Sequence, residues 1–432
     1  MEENYGKENY SEVNNVEQNN TKKRTKFSWK SFAIGTFAGL VASVLLVVVS
    51  VNIYARVSGQ YLVVGLGRKE TVEDVKVLDK KTAEKVSEIS QYMDLYYYED
   101  YDVEEVRNGI LHGFVDGLGD PYSVYYTKEE YEEMNIQTTG TYYGIGAGLR
   151  QDPKTMEVTV SKVYSGTPAE EAGLLKDDVI LYVDDIDATS MELSKLVQNI
   201  RGEEGTKVHL KIYRDATKET LEFDVERRNV ELPSVEGKLL EDGIGYIQIS
   251  EFQTNTAAQF DTQLKALMQQ GATGFVVDLR DNPGGLLSAV TEILDELLPE
   301  GLIVYTEDKY GKREEFKSDE QSIDLPMVVL VNGNSASASE IFAGAVKDHG
   351  YAKIIGTTTY GKGIVQKILK LSDDDALKMT IAKYYTPNGN YIHGVGIEPD
   401  IEIEYEVPED GVYNQETDNQ LKRAVEVLKE EL

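Results

Sequence analysis

One uncharged stretch, residues 31–54, constrains how this chain can fold. Its 24 residues include no Asp, Glu, Lys or Arg. As a helix with a rise of about 1.5 Å per residue, they would exceed the roughly 30 Å hydrocarbon core of a bilayer. A cleaved signal peptide is the alternative, but such peptides have a shorter apolar region and a small-residue cleavage site. We therefore predict one uncleaved transmembrane helix at residues 31–54.

The charges before this stretch predict its orientation. Five basic residues crowd its N-terminal side, namely Lys22, Lys23, Arg24, Lys26 and Lys30. Basic residues are enriched on the cytoplasmic side of membrane helices. We therefore expect residues 1–30 to form a polar, disordered cytoplasmic tail, and the rest of the chain to be extracytoplasmic at the cell membrane.

Composition excludes several classes of function. The part after residue 30 carries 38 basic and 71 acidic residues, a formal net charge of −33, which disfavours binding to nucleic acid. The absence of cysteine excludes disulfides, thiol catalysis and thiolate zinc sites. The four histidines contain no pair at the spacing of a helical zinc motif, so no metal site is predicted.

Periodicity divides the remaining chain into four regions. Residues 71–139 show helical spacing of apolar residues, whereas residues 140–229 contain short β-like runs and one helical segment at 191–200. Residues 230–405 alternate strands (243–249, 274–279, 327–331) with helices (257–269, 287–297, 336–348), which is typical of an α/β core. Residues 406–432 form a helical C-terminal extension.

Ser337 is a candidate nucleophile, because it follows an apolar strand and begins a predicted helix. A strand-to-helix turn aims the free N–H groups of the helix at whatever binds there. The alternative is structural, since Ser337 and Glu340 have the spacing of a capping box. A serine is also inert unless a base accepts its proton.

Lys362 lies between Gly361 and Gly363 and is the candidate base. Flanking glycines allow a tight backbone that brings the lysine close to another element. Burial would have to lower the pKa of its amine toward 7 to 8 for it to act as a base. An exposed loop lysine is the plain alternative. A phosphate-binding loop at residues 356–362 is disfavoured, because Gly363 replaces the Ser or Thr that holds magnesium.

The turn that contains Gly284 and Gly285 follows another apolar strand. Its backbone N–H groups could stabilise an oxyanion, although an isolated motif of this kind is more often only a tight turn.

Together these segments resemble the carboxyl-terminal-processing peptidases, or tail-specific proteases, over residues 75–405. The resemblance rests on five motifs. They are Leu-Gly-Asp-Pro-Tyr-Ser at 118–123, Leu-Arg with the glycine turn from 279, Ser-Ala-Ser-Ala-Ser-Glu-Ile at 335–341, Tyr-Gly-Lys-Gly at 360–363, and Tyr-Tyr-Thr-Pro-Asn-Gly at 384–389 followed by residues 394–400.

The resemblance implies a serine endopeptidase with a crotonase-like α/β core and no cofactor or metal. It implies Ser337 as nucleophile, Lys362 as general base and Gln366 as the residue that orients Lys362. It also implies an oxyanion hole made by the amides of Ala338 and of either Gly284 or Gly285.

Residues 140–229 resemble a PDZ domain inserted before the core. The implied carboxylate loop contains Tyr143, Gly144, Ile145 and Gly146, and a dinucleotide fingerprint is disfavoured because no βαβ unit surrounds these glycines. Such a loop receives a peptide C-terminus while a sheet edge pairs with the peptide. The implied partners are proteins or peptides with accessible C-termini. Arg201 is the candidate link between ligand binding and the dyad of Ser337 and Lys362. The resemblance leaves open whether the protein forms a homo-oligomer.

Two other functions remain as alternatives. A non-catalytic PDZ scaffold would tether extracytoplasmic partners and bind peptides without turnover. An acyl-group enzyme on the same type of core would use the glycine turn on a thioester, but it would not need a PDZ domain or export.

Overall fold

The computed structural model describes residues 63–65, 68–70, 77–323, 325–408, 413 and 415–432. The predicted tail and transmembrane helix lie outside these residues. None of the helices in the described ranges combines the length and apolarity needed to cross a bilayer. The chain divides into two units, residues 1–101 and 102–432.

The described residues of the first unit form a short hairpin and one helix. Strands β1 (Val63–Gly65) and β2 (Arg68–Glu70) pair antiparallel, and α1 spans Lys80–Tyr96. Asp79 caps α1 by accepting a 2.8 Å hydrogen bond from the Thr82 N–H, which satisfies one of the free donors at the start of the helix.

The second unit opens with the helical region predicted from the apolar spacing. It contains α2 (Val103–Asp116), β3 (Val124–Tyr126) and α3 (Lys128–Thr139). Thr127 and Glu130 form a capping box at the start of α3. Gly140 ends that helix in the left-handed conformation, with φ of 69°, which glycine adopts without steric cost.

A β module follows, as the short apolar runs predict. Its elements are β4 (Thr141–Gly144), β5 (Ala147–Gln151), β6 (Val158–Val163), α4 (Pro168–Ala172), β7 (Val179–Val183), β8 (Ile186–Asp187), α5 (Leu193–Ile200), β9 (Lys207–Arg214), β10 (Glu219–Glu226) and β11 (Arg228–Glu231). The main sheet has the order β10-β9-β7-β6-β5, and it has its own buried apolar core. Strands β4 and β11 pair antiparallel, so the chain enters and leaves this module side by side.

The remaining chain forms two sheets with helices. The elements are β12 (Val235–Leu239), β13 (Ile244–Ile249), α6 (Thr256–Gln269), β14 (Gly274–Asp278), α7 (Leu287–Leu297), β15 (Gly301–Asp308), β16 (Arg313–Ser318), β17 (Met327–Val331), α8 (Ala338–Asp348), β18 (Lys353–Gly356), β19 (Ile364–Lys370), β20 (Ala376–Tyr385), β21 (Ile401–Glu402) and α9 (Asn419–Glu431). The first sheet has the order β12-β13-β14-β17-β18-β21 and is parallel except at β12. The second, antiparallel sheet has the order β16-β15-β20-β19, with β3 paired to β20.

The parallel sheet positions the site. Strands β14 and β17 are buried along their whole length, as expected for strands covered on both faces. Residues of α6, α7 and α8 form one apolar core on the sheet, and residues of α9 contribute to another. Because parallel strands end at the same edge, the turns that follow β14 and β17 meet there, bringing the glycine turn to Ser337.

The predicted helices and strands of this core are confirmed, with one instructive difference. The helix predicted from residue 336 begins at Ala338, because Ser337 has φ of 54° and ψ of −112°, which no α-helix accommodates.

Arg280 serves the fold at this edge. Its guanidinium is buried and hydrogen-bonds the Asp278 carboxylate and the Gln420 side chain, and its Nη2 lies 2.8 Å from Asp418. Asp418 is the residue before α9 and caps it. The arginine therefore fastens the C-terminal helix to the end of β14.

Candidate active site

Ser337 occupies a strained position at the start of α8. A positive φ is uncommon for any residue other than glycine, and such strain persists only where the surroundings enforce it. The Tyr384 hydroxyl donates a 3.0 Å hydrogen bond to the Ser337 carbonyl. The Ser337 side chain is partly exposed and lines a cavity of about 570 Å³.

The two outer serines of the triplet explain why the middle one is available. Ser335 Oγ donates to the Leu279 carbonyl at 2.7 Å, and Ser339 Oγ donates to the Asn282 carbonyl at 2.9 Å. Both outer side chains are fully buried. They fasten the turn that contains Ser337 to the glycine turn, and Ser337 lines the cavity.

Glu340 joins Ser337 to the loop that contains Lys362. Its buried carboxylate accepts hydrogen bonds from the N–H groups of Ser337 (2.8 Å), Gly361 (2.7 Å) and Lys362 (2.8 Å), and from Thr359 Oγ1 (2.6 Å). The Glu340 N–H donates to the Ser337 carbonyl at 2.9 Å. The glutamate half of the predicted capping box is therefore present, and the same carboxylate organises the site.

Lys362 reaches the cavity because glycines flank it. A Cβ on Gly363 would lie 2.7 Å from the backbone nitrogen of His393, and one on Gly361 would lie 3.0 Å from the backbone nitrogen of Val395. Lys362 Nζ lies 4.8 Å from the centroid of the Tyr122 ring. Strand β19 follows the loop, as expected if it is not a phosphate-binding loop.

The surroundings of Lys362 lower the pKa of its amine. Burial lowers the pKa of Lys362, the positive charge of Lys378 lowers it further, and Glu340 and Asp120 partly oppose both effects. Desolvation disfavours the ammonium form, so the amine loses its proton more readily than that of an exposed lysine.

The structure brings Ser337, Lys362 and Gln366 to one cavity. Gln366 Nε2 donates a 3.4 Å hydrogen bond to Thr380 Oγ1 on the neighbouring strand. Within the described ranges, no hydrogen bond joins the Ser337 hydroxyl to the Lys362 amine, or Gln366 to Lys362. The three side chains therefore share the cavity without direct hydrogen bonds between them.

The N–H groups of Gly284 and Gly285 in the glycine turn differ in their hydrogen bonding. The Gly284 N–H donates to Asn282 Oδ1 at 2.8 Å. In contrast, the N–H groups of Gly285 and Ala338 have no acceptor among the described residues. A Cβ on Gly284 would lie 2.7 Å from Ser337 Cβ and 2.8 Å from the Ala338 nitrogen, so only glycine allows this approach.

The predicted carboxylate loop lies at the entrance to the β module. Tyr143 and Gly144 end β4, Ile145 is buried, and Gly146 has φ of 82°. A separate cavity of about 220 Å³ is lined by Ile145 of this loop and by residues of β5 and α5, whereas Tyr143, Gly144 and Gly146 do not line it. Sequence reasoning missed Tyr142, which also lines that cavity.

Arg201 connects the β module to α3. Its Nη1 lies 2.6 Å from Glu133 Oε1 on α3, and its guanidinium carbon lies 5.2 Å from the centroid of the Tyr142 ring. Arg201 also lines the 220 Å³ cavity. It does not contact Ser337 or Lys362 by any hydrogen bond in the described part of the chain.

Comparison with known proteins gives three family matches. Residues 243–403 match peptidase family S41, residues 136–225 match the PDZ domain, and residues 48–130 match the N-terminal domain of the activating protease CtpB.

Individual relatives agree with these matches. The chain is 37% identical over 316 residues to the carboxyl-terminal-processing protease of Synechocystis sp., covering 72% of this chain and 74% of the relative. It is 34% identical over 350 residues to a probable CtpA-like serine protease of Staphylococcus epidermidis, covering 78% and 70%. The solved photosystem II D1 C-terminal processing protease aligns at a TM-score of 0.43 and 29% identity, covering 74% and 86%.

The Glu340 carboxylate predicts a measurable stability effect. Replacing Glu340 with Gln leaves buried donors without acceptors, so we expect the free energy of unfolding in urea to fall by about 3 kcal/mol. Glu300→Gln, at an exposed position, is the matched control and should change little. A Glu340→Gln variant as stable as the control would contradict the role assigned to this carboxylate.

Proposed function

Because the chain belongs to the carboxyl-terminal-processing family of serine-type endopeptidases, we propose that it cleaves peptide bonds with a dyad of Ser337 and Lys362. The observation that carries the proposal is the shared cavity, in which a strained serine and a partly desolvated lysine are tied together through Glu340. Gln366, on the strand after Lys362, is the proposed orienting residue.

The proposed reaction is acyl transfer. Neutral Lys362 accepts the proton of Ser337 Oγ, which attacks the scissile carbonyl, and the protonated lysine then donates a proton to the leaving amine. Water, activated in the same way, releases the acyl group. Lys362 must come within hydrogen-bond distance of Ser337 during this cycle, and catalytic hydrogen bonds often tighten only when substrate is bound.

The N–H groups of Ala338 and Gly285 are the proposed oxyanion donors. Both are without acceptors among the described residues, whereas the Gly284 N–H is already used by Asn282. Gly284 instead has the role of admitting close approach to Ser337 and Ala338. Preorganised N–H groups stabilise the charge that develops on the carbonyl oxygen.

Substrate choice is proposed to depend on the PDZ domain. The loop of Tyr143, Gly144, Ile145 and Gly146 would receive the C-terminal carboxylate, and the apolar 220 Å³ cavity would receive the last side chain. Helix α3 supports a link to catalysis, because its Glu133 pairs with Arg201 while Gln137 and Thr138 line the catalytic cavity.

The site is proposed to act outside the cytoplasm, anchored by residues 31–54. The support is the uncharged length of this segment and the basic residues before it.

The dyad predicts that either single substitution abolishes cleavage. We expect Ser337→Ala and Lys362→Ala, in the purified full-length protein, to reduce kcat on an unfolded protein substrate by about four orders of magnitude. Cleavage products resolved by mass spectrometry provide the measurement. Normal cleavage by Ser337→Ala would exclude this serine as the nucleophile, and peptide binding without cleavage by the wild type would favour a scaffold.

The same assay has a predicted pH dependence. Because the base must be neutral, activity should be lost as the pH falls through the pKa of Lys362. Burial lowers the pKa of Lys362, so the rising limb should lie below the value of about 10.4 for an ordinary lysine. A rising limb of the pH–activity profile at the pKa of an ordinary lysine would argue against a desolvated base.

Recognition of C-termini predicts a requirement for the free carboxylate. A peptide ending in an apolar residue should lose about tenfold or more in kcat/KM when its C-terminus is amidated. Arg201→Gln should reduce the difference between the two peptides if this arginine links the ligand to the dyad. Equal cleavage of both peptides by the wild type would exclude carboxylate recognition.

Membrane anchoring predicts that cell fractionation separates the full-length protein from a variant without the anchor. Full-length protein should remain with the membrane pellet at high salt, whereas a variant lacking residues 1–54 should be soluble. Protease added outside intact cells should degrade the catalytic part. Its protection in intact cells would contradict the proposed orientation.

A further inference from the structure

Glu251 is a titratable group in the catalytic cavity that the proposed mechanism does not use. It follows β13 and lines the same 570 Å³ cavity as Ser337 and Lys362. The residue is partly buried. Glu251 therefore belongs to the wall of the cavity that Ser337 and Lys362 also line.

The backbone fixes Glu251 relative to the oxyanion hole. The next residue, Phe252, donates its N–H to the Gly284 carbonyl at 2.8 Å and accepts from the Leu286 N–H at 2.7 Å. A Cβ on Gly285 would lie 2.1 Å from the Phe252 oxygen, so the two segments are in tight contact. The backbone next to Glu251 therefore has a set position relative to Gly285, one of the proposed oxyanion donors.

The carboxylate lacks a cationic partner. Gln253 Nε2 donates a 3.3 Å hydrogen bond to Glu251 Oε2, but the same amide nitrogen also donates to the Gln137 carbonyl at 3.1 Å. In the described part of the chain, no lysine, arginine or histidine nitrogen lies within 4.0 Å of this carboxylate. Burial raises the pKa of Glu251, because it disfavours the charged form of the carboxyl group, and the hydrogen bond from Gln253 partly opposes this effect.

The remaining wall of the cavity suits a long aliphatic stem. It includes six apolar side chains, namely Leu286, Leu287, Ile341, Ile364, Val365 and Ile368, and two lysines, Lys362 and Lys378, line the same cavity. Lysine and arginine place their methylene groups against apolar surface while the charged end finds a polar partner. The cavity thus offers both parts of a subsite for a basic side chain.

We propose that Glu251 determines specificity by pairing with a lysine or arginine side chain of the bound polypeptide, next to the bond that is cleaved. This inference rests on the proposed function and names one class of substrate residue for the same site. Pairing would compensate the desolvation of both charges, whereas an apolar or acidic residue would leave Glu251 unpaired.

The test uses the full-length protein and peptides that differ at one position. Lys, norleucine and Glu are placed in turn at each position flanking the cleaved bond, and kcat/KM is measured for every peptide. At one position we expect the wild type to prefer Lys over norleucine by about tenfold, and Glu251→Gln to abolish this preference. Glutamine keeps the size of the side chain and can still accept from Gln253.

Two further variants separate local pairing from the general acidity of the protein. Glu129→Gln removes one exposed charge from α3, outside the cavity, and should leave the preference unchanged. Glu251→Lys should instead prefer Glu at the same position. A wild type without preference for Lys at any position, or a preference that Glu251→Gln leaves intact, would overturn the proposal.

The Ser337→Ala variant distinguishes failure of the specificity proposal from failure of the proposed function. Cleavage that depends on Ser337 but not on Glu251 overturns only the specificity proposal. Cleavage that persists in Ser337→Ala overturns the proposed function and, with it, this inference.

Discussion

The buried Glu340 carboxylate is the constraint on which the site depends. Burial of a charge is costly unless hydrogen bonds compensate it, and this carboxylate receives four, between 2.6 and 2.8 Å. One donor belongs to Ser337, and three belong to the loop at 359–362 that contains Lys362. These four hydrogen bonds hold the start of α8 and the loop at 359–362 in one relative position. Ser337 and Lys362 therefore meet in one cavity although neither hydrogen-bonds the other.

The parallel sheet provides the frame for this arrangement. Strands β14 and β17 end at one edge, and the turns that follow them are joined by Ser335 and Ser339. These hydrogen bonds hold Ser337 in its strained conformation and leave the amides of Gly285 and Ala338 directed to no internal acceptor among the described residues. The strained backbone of Ser337 and the two amides without internal acceptors thus have one structural origin.

Local patterns predicted much of the core and of the candidate site. Apolar runs and helical spacing identified β13, α6, β14, α7 and β17, and small residues at strand ends identified the turns around Ser337, Lys362 and Gly284. Tertiary contacts could not be predicted in this way. Glu340 showed only its capping spacing in the sequence, while its bonds to Gly361 and Lys362 cross about twenty residues.

The choice of Gly285 over Gly284 and the positions of Tyr122 and Tyr142 also depend on long-range packing. Strands β15, β16 and β20 were not predicted, and neither was the antiparallel sheet that they form with β19. Charged residues interrupt the apolar pattern of β16 and β20.

The central claim is that Lys362 activates Ser337. Labelling of the full-length protein with a fluorophosphonate, in the presence of a C-terminal peptide, tests it most directly. The account predicts an adduct on Ser337 that forms much more slowly in Lys362→Ala. An adduct on another serine, or an unchanged rate in that variant, would contradict it.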